Sequence, residues 1–519
     1  MKTFTNDRLI VASRQELIDI ITGQSSRIDA LSNEVTELSM KLEWFKRQIF
    51  GAKSERFMPA DDLQMAMELG VVNKEEVDDT AQSTPITYHR KSNKKNVPVQ
   101  GHGRGSMPTH LPIKKTTVEP HEDTTGMVKI GEETSWYYEM DKPTSLHIVM
   151  IIRPKYALPE KNGVVIGELP VLPVEKGNAG PGLMAQITND KYIYHLPLNR
   201  QIAKFRQEYN VEFSESWLSD NVGKAVFWYE PIYNEYRKLL LTATYLQADE
   251  TPIPVLTRDG KGKVHRGYLW VYHDPIRKIV IFDYRKNRSR EGPDDFLKDF
   301  RGTLQVDGYD GYAEIIARNA LVHAGCMDHV RRRFEKALGY DKQRATYALE
   351  TIGQWYMVER EAKENGLSFD QRLALRKENV APSMESFKQW MQNQLTQVLP
   401  KSPIGVALQY ALNQWEYFTP YLTDGRIELS NILIENAIRP VALGRKNFLF
   451  AGSHKAAHWP AVIYSLAAIA HYHGVTPFDY FKELLTELPK ANAKDIGKFL
   501  LPRKQLHDAG KFKIPSASG

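Results

Sequence analysis

The chain has 519 residues, of which 42% are hydrophobic and 25% charged; that balance excludes fibrous and wholly disordered classes and leaves room for two to four structural units of about 150 residues. No run of about 18 apolar residues marks a transmembrane helix, and the opening MKTFTNDRLIVASRQEL has no apolar signal core, so a cytosolic protein is expected. The single cysteine, Cys326, excludes an internal disulfide and a cysteine-rich zinc site, while a basic excess of 69 − 63 = +6 is compatible with a polyanionic partner without requiring one.

The first predicted element is a coiled coil. Leu17, Ile21, Gln24, Ile28, Leu31, Val35, Leu38, Leu42, Phe45 and Ile49 alternate spacings of four and three, an a/d seam of about five heptads that predicts self-association. Residues 74–116 have no period and are rich in Pro, Gly and polar residues. Their basic half, Arg90 to Arg104, suits either a solvated linker or a phosphate backbone. Residues 117–175 carry the β-branched and aromatic runs of a small sheet. The stretch 180–245 turns helical, with a break near Tyr209–Phe213 and a second helix from about Ser214; both a helix-turn-helix and a plain helical hairpin read this way.

From residue 243 strands take over. TYLQADETPIPV, RGYLWVYHD and KIVIFDYRK read as three hairpin-like strands. GPDDFLKDF follows as a helix, TLQVDGYDGY as a short buried strand, Ala313 to Asn319 as a helix, ALVHAGC as a strand and MDHVRRRFEKAL as a helix. That order predicts a mixed α/β sheet. Residues 338–425 read as entirely helical, with Trp355 and Trp415 as core residues.

Two aspartates close apolar strands: Asp249 ends YLQAD and Asp307 ends TLQVD. Strand carboxyl ends are where α/β sheets bind ligands. Neighbouring carboxylates repel, and shared divalent cations offset that repulsion; two metals on such oxygens are a device for in-line attack at phosphate. A third carboxylate is then needed. Glu435 lies one turn into LSNILIENAIRP, with Ser430 or Asn431 as N-cap, and shares a helix face with Asn431 and Arg439. Glu428, before the cap, is the rival. Cys326 and His329 sit three apart at a strand–helix junction and lack the further ligands zinc needs, so a supporting role is expected of them and of Asn431. Arg331, Arg332, Arg333 and Lys336 follow at once; beside a phosphate site they, with Arg439, are candidate DNA contacts.

The strings RQIFGAKSER, RPKYA, HLPLNRQ, ADETP, QVDGYDGY, GCMDHVRRRF, RLALRKENVAP, LPKSPIGVALQYALNQWE, DGRIELSN and ENAIRPVALGRKNFLFAGS run in this order along nearly the whole chain. As an ordered set they resemble the transposases of the insertion sequence 66 family. The resemblance implies a ribonuclease H-like catalytic domain with an all-helical insertion, preceded by a coiled coil and small DNA-binding modules. In this chain those parts fall at 8–58 (coiled coil), 74–116 (basic linker), 117–175 (small β module), 180–240 (helical, helix-turn-helix), 243–337 (first part of the catalytic core), 338–425 (insertion), 426–485 (end of the core) and 486–519 (tail). It implies catalytic, metal-binding carboxylates at Asp249, Asp307 and Glu435, in agreement with the choice made from the residues and against Glu428. The family's β module carries zinc-binding cysteines, but the matching positions near His121–Thr125 and Ala157–Lys161 have none, so no zinc is expected. The family's paired asparagines and following arginine are also altered, to Asn431–Ile432 and Asn436.

The expected function is therefore DNA transposition. Two Mg²⁺ ions, with Mn²⁺ as a substitute, would serve 3′-end hydrolysis and strand transfer. The expected partners are the element's terminal inverted repeats, target DNA, a second copy of the chain through the coiled coil, and accessory proteins of the element. No membrane is expected, and the place is the bacterial cytoplasm at the nucleoid. Two other readings remain on the sequence alone: a catalytically silent DNA-bound regulator, and a structure-specific nuclease of the same fold.

Overall fold

A computed structural model describes residues 107–141, 145–158, 163–175, 177–256, 264–448 and 450–502. All belong to one of the two units into which the chain divides, residues 102–519. The coiled coil expected over 8–58, most of the basic linker and the end of the tail lie outside the described residues. Two sheets and a helical unit form the described part, a mixed α/β architecture.

The first sheet comes from the β-branched runs. Strands β2 (Val128–Asp141) and β3 (Ser145–Ala157) pair antiparallel over almost their whole length, and β4 (Val164–Ile166) adds to β3. The other edge is β1 (Ile113–Thr117), parallel to β3. It arises from the last residues of the expected linker, because Ile113 and its neighbours can satisfy their backbone groups on β3. Three helices follow: α1 (Pro181–Tyr192), α2 (Leu198–Tyr209) and α3 (Glu215–Leu241). Asn210 ends α2 in the left-handed region at φ 50°, and the Ser214 hydroxyl caps α3 by accepting from Trp217 N at 3.2 Å. Leu218, Val222, Tyr229, Ile232, Tyr236 and Leu240 give α3 a long buried stripe. One continuous apolar cluster runs from the first sheet through these helices into the second sheet.

The second sheet has five strands: β5 (Tyr245–Leu256), β6 (Val264–Asp274), β7 (Ile279–Arg285), β8 (Thr303–Gln305) and β9 (Val322–Ala324). Their order in space is β7-β6-β5-β8-β9; β5, β6 and β7 form an antiparallel meander, while β8 lies parallel to β5 and β9 parallel to β8. The parallel pairs need crossovers, supplied by α4 (Glu291–Phe296) and α5 (Ala313–Arg318). Gly302 opens β8 at φ +134°, and a Cβ there would sit 2.3 Å from Thr244 O, so only glycine fits. Helix α6 (Met327–Ala337) follows β9 directly.

The segment expected to be all helical is so: α7 (Lys342–Glu364), α8 (Phe369–Asn379), α9 (Ala381–Leu395), α10 (Pro403–Asn413) and a 3₁₀ stretch, Trp415–Leu422. It has its own core, in which Trp355 is 1% and Trp415 7% exposed. The chain then returns to the sheet as α11 (Ile432–Asn447), α12 (His454–Tyr472) and α13 (Pro477–Glu487). Helix α12 is buried on nearly every side, and Ser465 on it accepts from Phe282 N of edge strand β7 at 2.8 Å. Among the described residues no helix is long and apolar enough to cross a membrane.

Candidate active site

The positions of Asp249 and Asp307 follow from strand register. Gln247 on β5 pairs with Gln305 on β8 in a parallel ladder. Asp249 lies two residues past Gln247 on the same face, inside β5 and not at the strand end expected of it, because β5 runs on to Leu256 in its pairing with β6; Asp307 lies two residues past Gln305, just beyond the end of β8. The glutamines are joined side chain to side chain. Gln247 Nε2 donates to Gln305 Oε1 at 2.9 Å, and the Tyr245 hydroxyl donates to the same oxygen at 2.5 Å.

The same glutamines reach the segment that leads into α11. Gln305 Nε2 donates to Gly325 O at 2.8 Å and Glu428 O at 2.9 Å, and Gln247 Nε2 to Ser430 O at 3.2 Å. Helix α11 then begins at Asn431 and presents Glu435 in its first turn. The repeated pattern Leu-Gln-x-Asp at 246–249 and 304–307 is the signal that could have revealed this clasp. Gln305→Leu would leave the Gly325 and Glu428 carbonyls without this donor and the Tyr245 hydroxyl without its acceptor, at roughly 1–3 kcal/mol per lost partner. Melting should show that loss, and turnover should fall further than stability because Glu435 loses its anchor.

Asp249, Asp307 and Glu435 are all half-buried. Burial pushes the Asp249 carboxyl well above its ordinary range, and the charges of Glu250, Asp307 and Glu435 push the same way. The three groups thus sense one another. Glu250 itself is held by Arg288 Nε at 2.7 Å, whose guanidinium lies 4.0 Å over the Tyr309 ring. Glu435 is paired with Arg332, Nη2 to Oε2 at 2.5 Å. Glu428, the rival, faces the insertion: Arg372 grips it with two bonds of 3.0 and 2.7 Å.

The four cations of α6 diverge. Arg331 pairs with Glu335 on its own helix, Arg332 with Glu435, and Arg333 stacks 3.8 Å over the Tyr410 ring. Lys336 also has a protein interaction, and Arg439 lies one turn beyond Glu435 on α11. Cys326 Sγ donates to Asn431 Oδ1 at 2.9 Å, a link from the start of α6 to the start of α11. Burial, then Asp328, pushes the thiol up to about 12. The native chain should therefore resist alkylation by iodoacetamide at pH 8 and react fully only when unfolded, which mass spectrometry can follow. His329 is drawn below its ordinary range by burial, although Asp307 and Glu435 pull it upward. Among the described residues its Nδ1 and the Nδ2 of fully buried Asn431 have no partner.

Among the described residues no three His, Cys, Asp or Glu side chains stand as a ready metal cage. The donor chemistry nonetheless fits a hard divalent cation: all three acids offer oxygen, and their mutual repulsion is what such a cation relieves.

A family model described as Transposase IS66 family matches residues 176–459, more than half of the chain and the stretch that holds all three acids. A second, described as Transposase C of IS166 homeodomain, matches residues 37–115. The protein is a transposase by class. The chain belongs to the IS66 family, which implies DNA binding and, in general, a divalent metal. It is also similar to three uncharacterized proteins of Sinorhizobium fredii (strain NBRC 101917 / NGR234). It is 28% identical to y4hP over 484 residues, 88% of this chain and 86% of the relative. It is 27% identical to y4jD over 488 residues, 89% and 93% of the two chains, and 28% identical to y4qI over 503 residues, 93% and 90%.

Proposed function

We propose that this chain is an active DNA transposase of the metal-dependent, three-carboxylate kind. In this reading it binds the terminal inverted repeats of its own element, hydrolyses the 3′ ends and joins them to target DNA. The observation that carries the reading is the placement of three acids far apart in sequence: Asp249 inside β5, Asp307 two residues past the end of the neighbouring β8, and Glu435 in the first turn of α11, which the Gln247–Gln305 pair ties to both strands. The sheet order, an antiparallel meander followed by two parallel strands, supports assigning the fold as ribonuclease H-like, with 338–425 as its insertion.

The three acids would hold two divalent ions, Mg²⁺ in the cell with Mn²⁺ as a substitute, which when bound supply an activated nucleophile and a stabilised leaving oxygen. The protein's part is to hold the carboxylates rigidly through Gln247 and Gln305, to give Glu435 a counter-charge in Arg332, and to keep His329 neutral beside them. Arg331, Arg333, Lys336 and Arg439 are assigned to DNA approach, and Cys326 and Asn431 to positioning. The heptads at 8–58 are assigned to pairing two protomers so that two ends can be held together. The three helices at 180–240, the small β module at 117–175 and the basic linker at 74–116 are assigned to DNA contact, and accessory proteins of the element remain part of the reading.

The test is strand cleavage and joining on labelled DNA carrying the element's own ends, in Mg²⁺ and in Ca²⁺. Nicking at the 3′ ends followed by joining, in Mg²⁺ only, is the expected result. Cleavage without joining would instead mark a nuclease, and end binding with no cleavage, even with the element's companion proteins added, a silent regulator.

A further inference from the structure

A cavity of about 300 Å³ lies between the end of α1, the start of α3, β5, the end of α11 and α12. That size falls in the range of small-ligand sites. Two cations line it, Lys191 and Arg445; among the described residues neither has a carboxylate at ion-pair distance, although the charge of Glu215 reaches Lys191. Arg445 spends one N–H on Pro252 O at 2.6 Å, and Lys191 Nζ lies 5.5 Å from the Tyr192 ring. Burial lowers both, Lys191 to about 8. Withdrawing unpaired cations from water costs free energy unless an anion from outside repays it.

The lining has one acid, Glu215, so two cations and one anion leave a net charge of +1. Tyr192, Phe448, Trp459 and Tyr464 add aromatic surface. The Tyr464 side chain is 3% exposed, and its hydroxyl is buried without a partner among the described residues. An unpaired buried donor, a single net positive charge and aromatic walls are complementary to one phosphodiester monoanion together with a planar base. Pro254 is five residues past Asp249 on β5, and Arg445 is ten past Glu435 on α11. At strand and helix rises those are about 15–17 Å, or roughly five steps of a B-form strand from the carboxylates.

We infer that this cavity is a nucleotide-binding site that takes one unstacked base and its phosphodiester from a DNA strand whose scissile phosphate lies at Asp249, Asp307 and Glu435. Lys191 and Arg445 hold the phosphate, the Tyr464 hydroxyl donates to the nucleotide, and the aromatic walls receive the base, as stacking on aromatic side chains does in single-strand binding. The inference rests on the DNA reading above and adds a point of grip away from the chemistry.

The test measures binding, so it is independent of cleavage. The full-length chain is titrated in Ca²⁺ with a fluorescent duplex of the element's end, intact or with one abasic nucleotide walked along each strand. Lys191→Met should weaken binding of the intact duplex about tenfold, and Tyr464→Phe about threefold. Lys498→Met, at a lysine outside every segment assigned to DNA and with a side chain 70% exposed, should change nothing. Tyr464→Phe should melt no lower than the parent, because the lost hydroxyl has no partner among the described residues; that separates a ligand role from a folding role. One abasic position should weaken the parent chain but not further weaken Lys191→Met.

Equal affinity of Lys191→Met, Tyr464→Phe and parent would overturn the inference, and so would indifference to every abasic position. Thymidine 5′-monophosphate is the arm for a free nucleotide. Saturation by it with Lys191 dependence, while the duplex shows none, would overturn DNA as the source. A parent chain that fails to bind the duplex at all overturns the DNA reading itself, a different result from a bound duplex that ignores Lys191.

Discussion

Glu435→Gln is expected to lower Mg²⁺-dependent strand cleavage by about three orders of magnitude, or about 4 kcal/mol of activation free energy, while end binding in Ca²⁺ stays within a few-fold. The amide keeps the shape of the side chain and its carbonyl can still accept from Arg332, which now bonds to Glu435. What it loses is the charge that a metal ligand needs. Asp249→Asn and Asp307→Asn should behave alike in activity. Loss of DNA binding equal to the loss of cleavage would remove the metal-site assignment.

Asp249→Asn carries a second signature. In the folded chain burial and the neighbouring acids raise the Asp249 carboxyl above its ordinary value. A raised folded-state value means that the associated stability is fully present below the unfolded carboxylate range, about pH 4, and is lost as pH rises through the folded value. With a chelator present, the parent should therefore melt lower as pH rises from mild acid toward neutrality. Asp249→Asn should lack that part of the slope and melt higher at pH 7. Added Mg²⁺ should raise the melting point of the parent and not that of the variant.

The largest loss of stability is expected at Arg376. Its guanidinium is 0% exposed. It bonds to Glu359 at 2.6 and 3.0 Å, and to the carbonyls of Tyr421, Asp424 and Ile427 at 3.0, 3.0 and 2.9 Å. It also lies 4.0 Å over the Tyr421 ring. Arg376→Met removes the charge, leaves three carbonyls without this donor and takes one of two arginines from Glu359, which Arg372 still holds, at about 3–5 kcal/mol. The damage should reach the active site, because residues 421–428 lead into α11, and Arg372 holds Glu428 in the same network. Denaturant melts should show the loss, and cleavage should fall with it.

Acid should mimic this substitution in the parent. Burial pushes Glu359 up, but Arg376 and Arg372 more than offset it, so its carboxyl lies below the ordinary range. A lowered folded-state value means that stability is present above the unfolded carboxylate range and lost as pH falls through the folded one. The insertion should loosen only below about pH 4, and that acid step should be smaller in Arg376→Met, where Arg372 alone still pairs with Glu359.

Much of this was legible in the chain itself. Hydrophobic alternation and turn residues give the strands around Asp249 and Asp307, because a strand's face repeats every two residues whatever it packs on. Asn431, Glu435 and Arg439 share a helix face for the same local reason. The helical insertion and its buried Trp355 and Trp415 follow from long apolar periodicity without strand signals. The break at 210–213, with Ser214 capping the next helix, is local chemistry too.

Only the tertiary structure decided which of these local features meet. No spacing in the sequence says that Gln247 bonds to Gln305 across 58 positions, that Arg332 faces Glu435 rather than solvent beside Arg331, or that Arg372 turns Glu428 toward the insertion. Those pairings depend on strand register, on the parallel crossover from β5 to β8, and on a chain that leaves the sheet after α6 and returns at α11. Side-chain periodicity is fixed within an element, whereas ion pairs and buried hydrogen bonds are fixed between elements. The sequence therefore determined which carboxylates follow apolar strand residues or open a helix, whereas the packing of those elements carried β5 on past Asp249 to Leu256 and determined which cation each acid keeps.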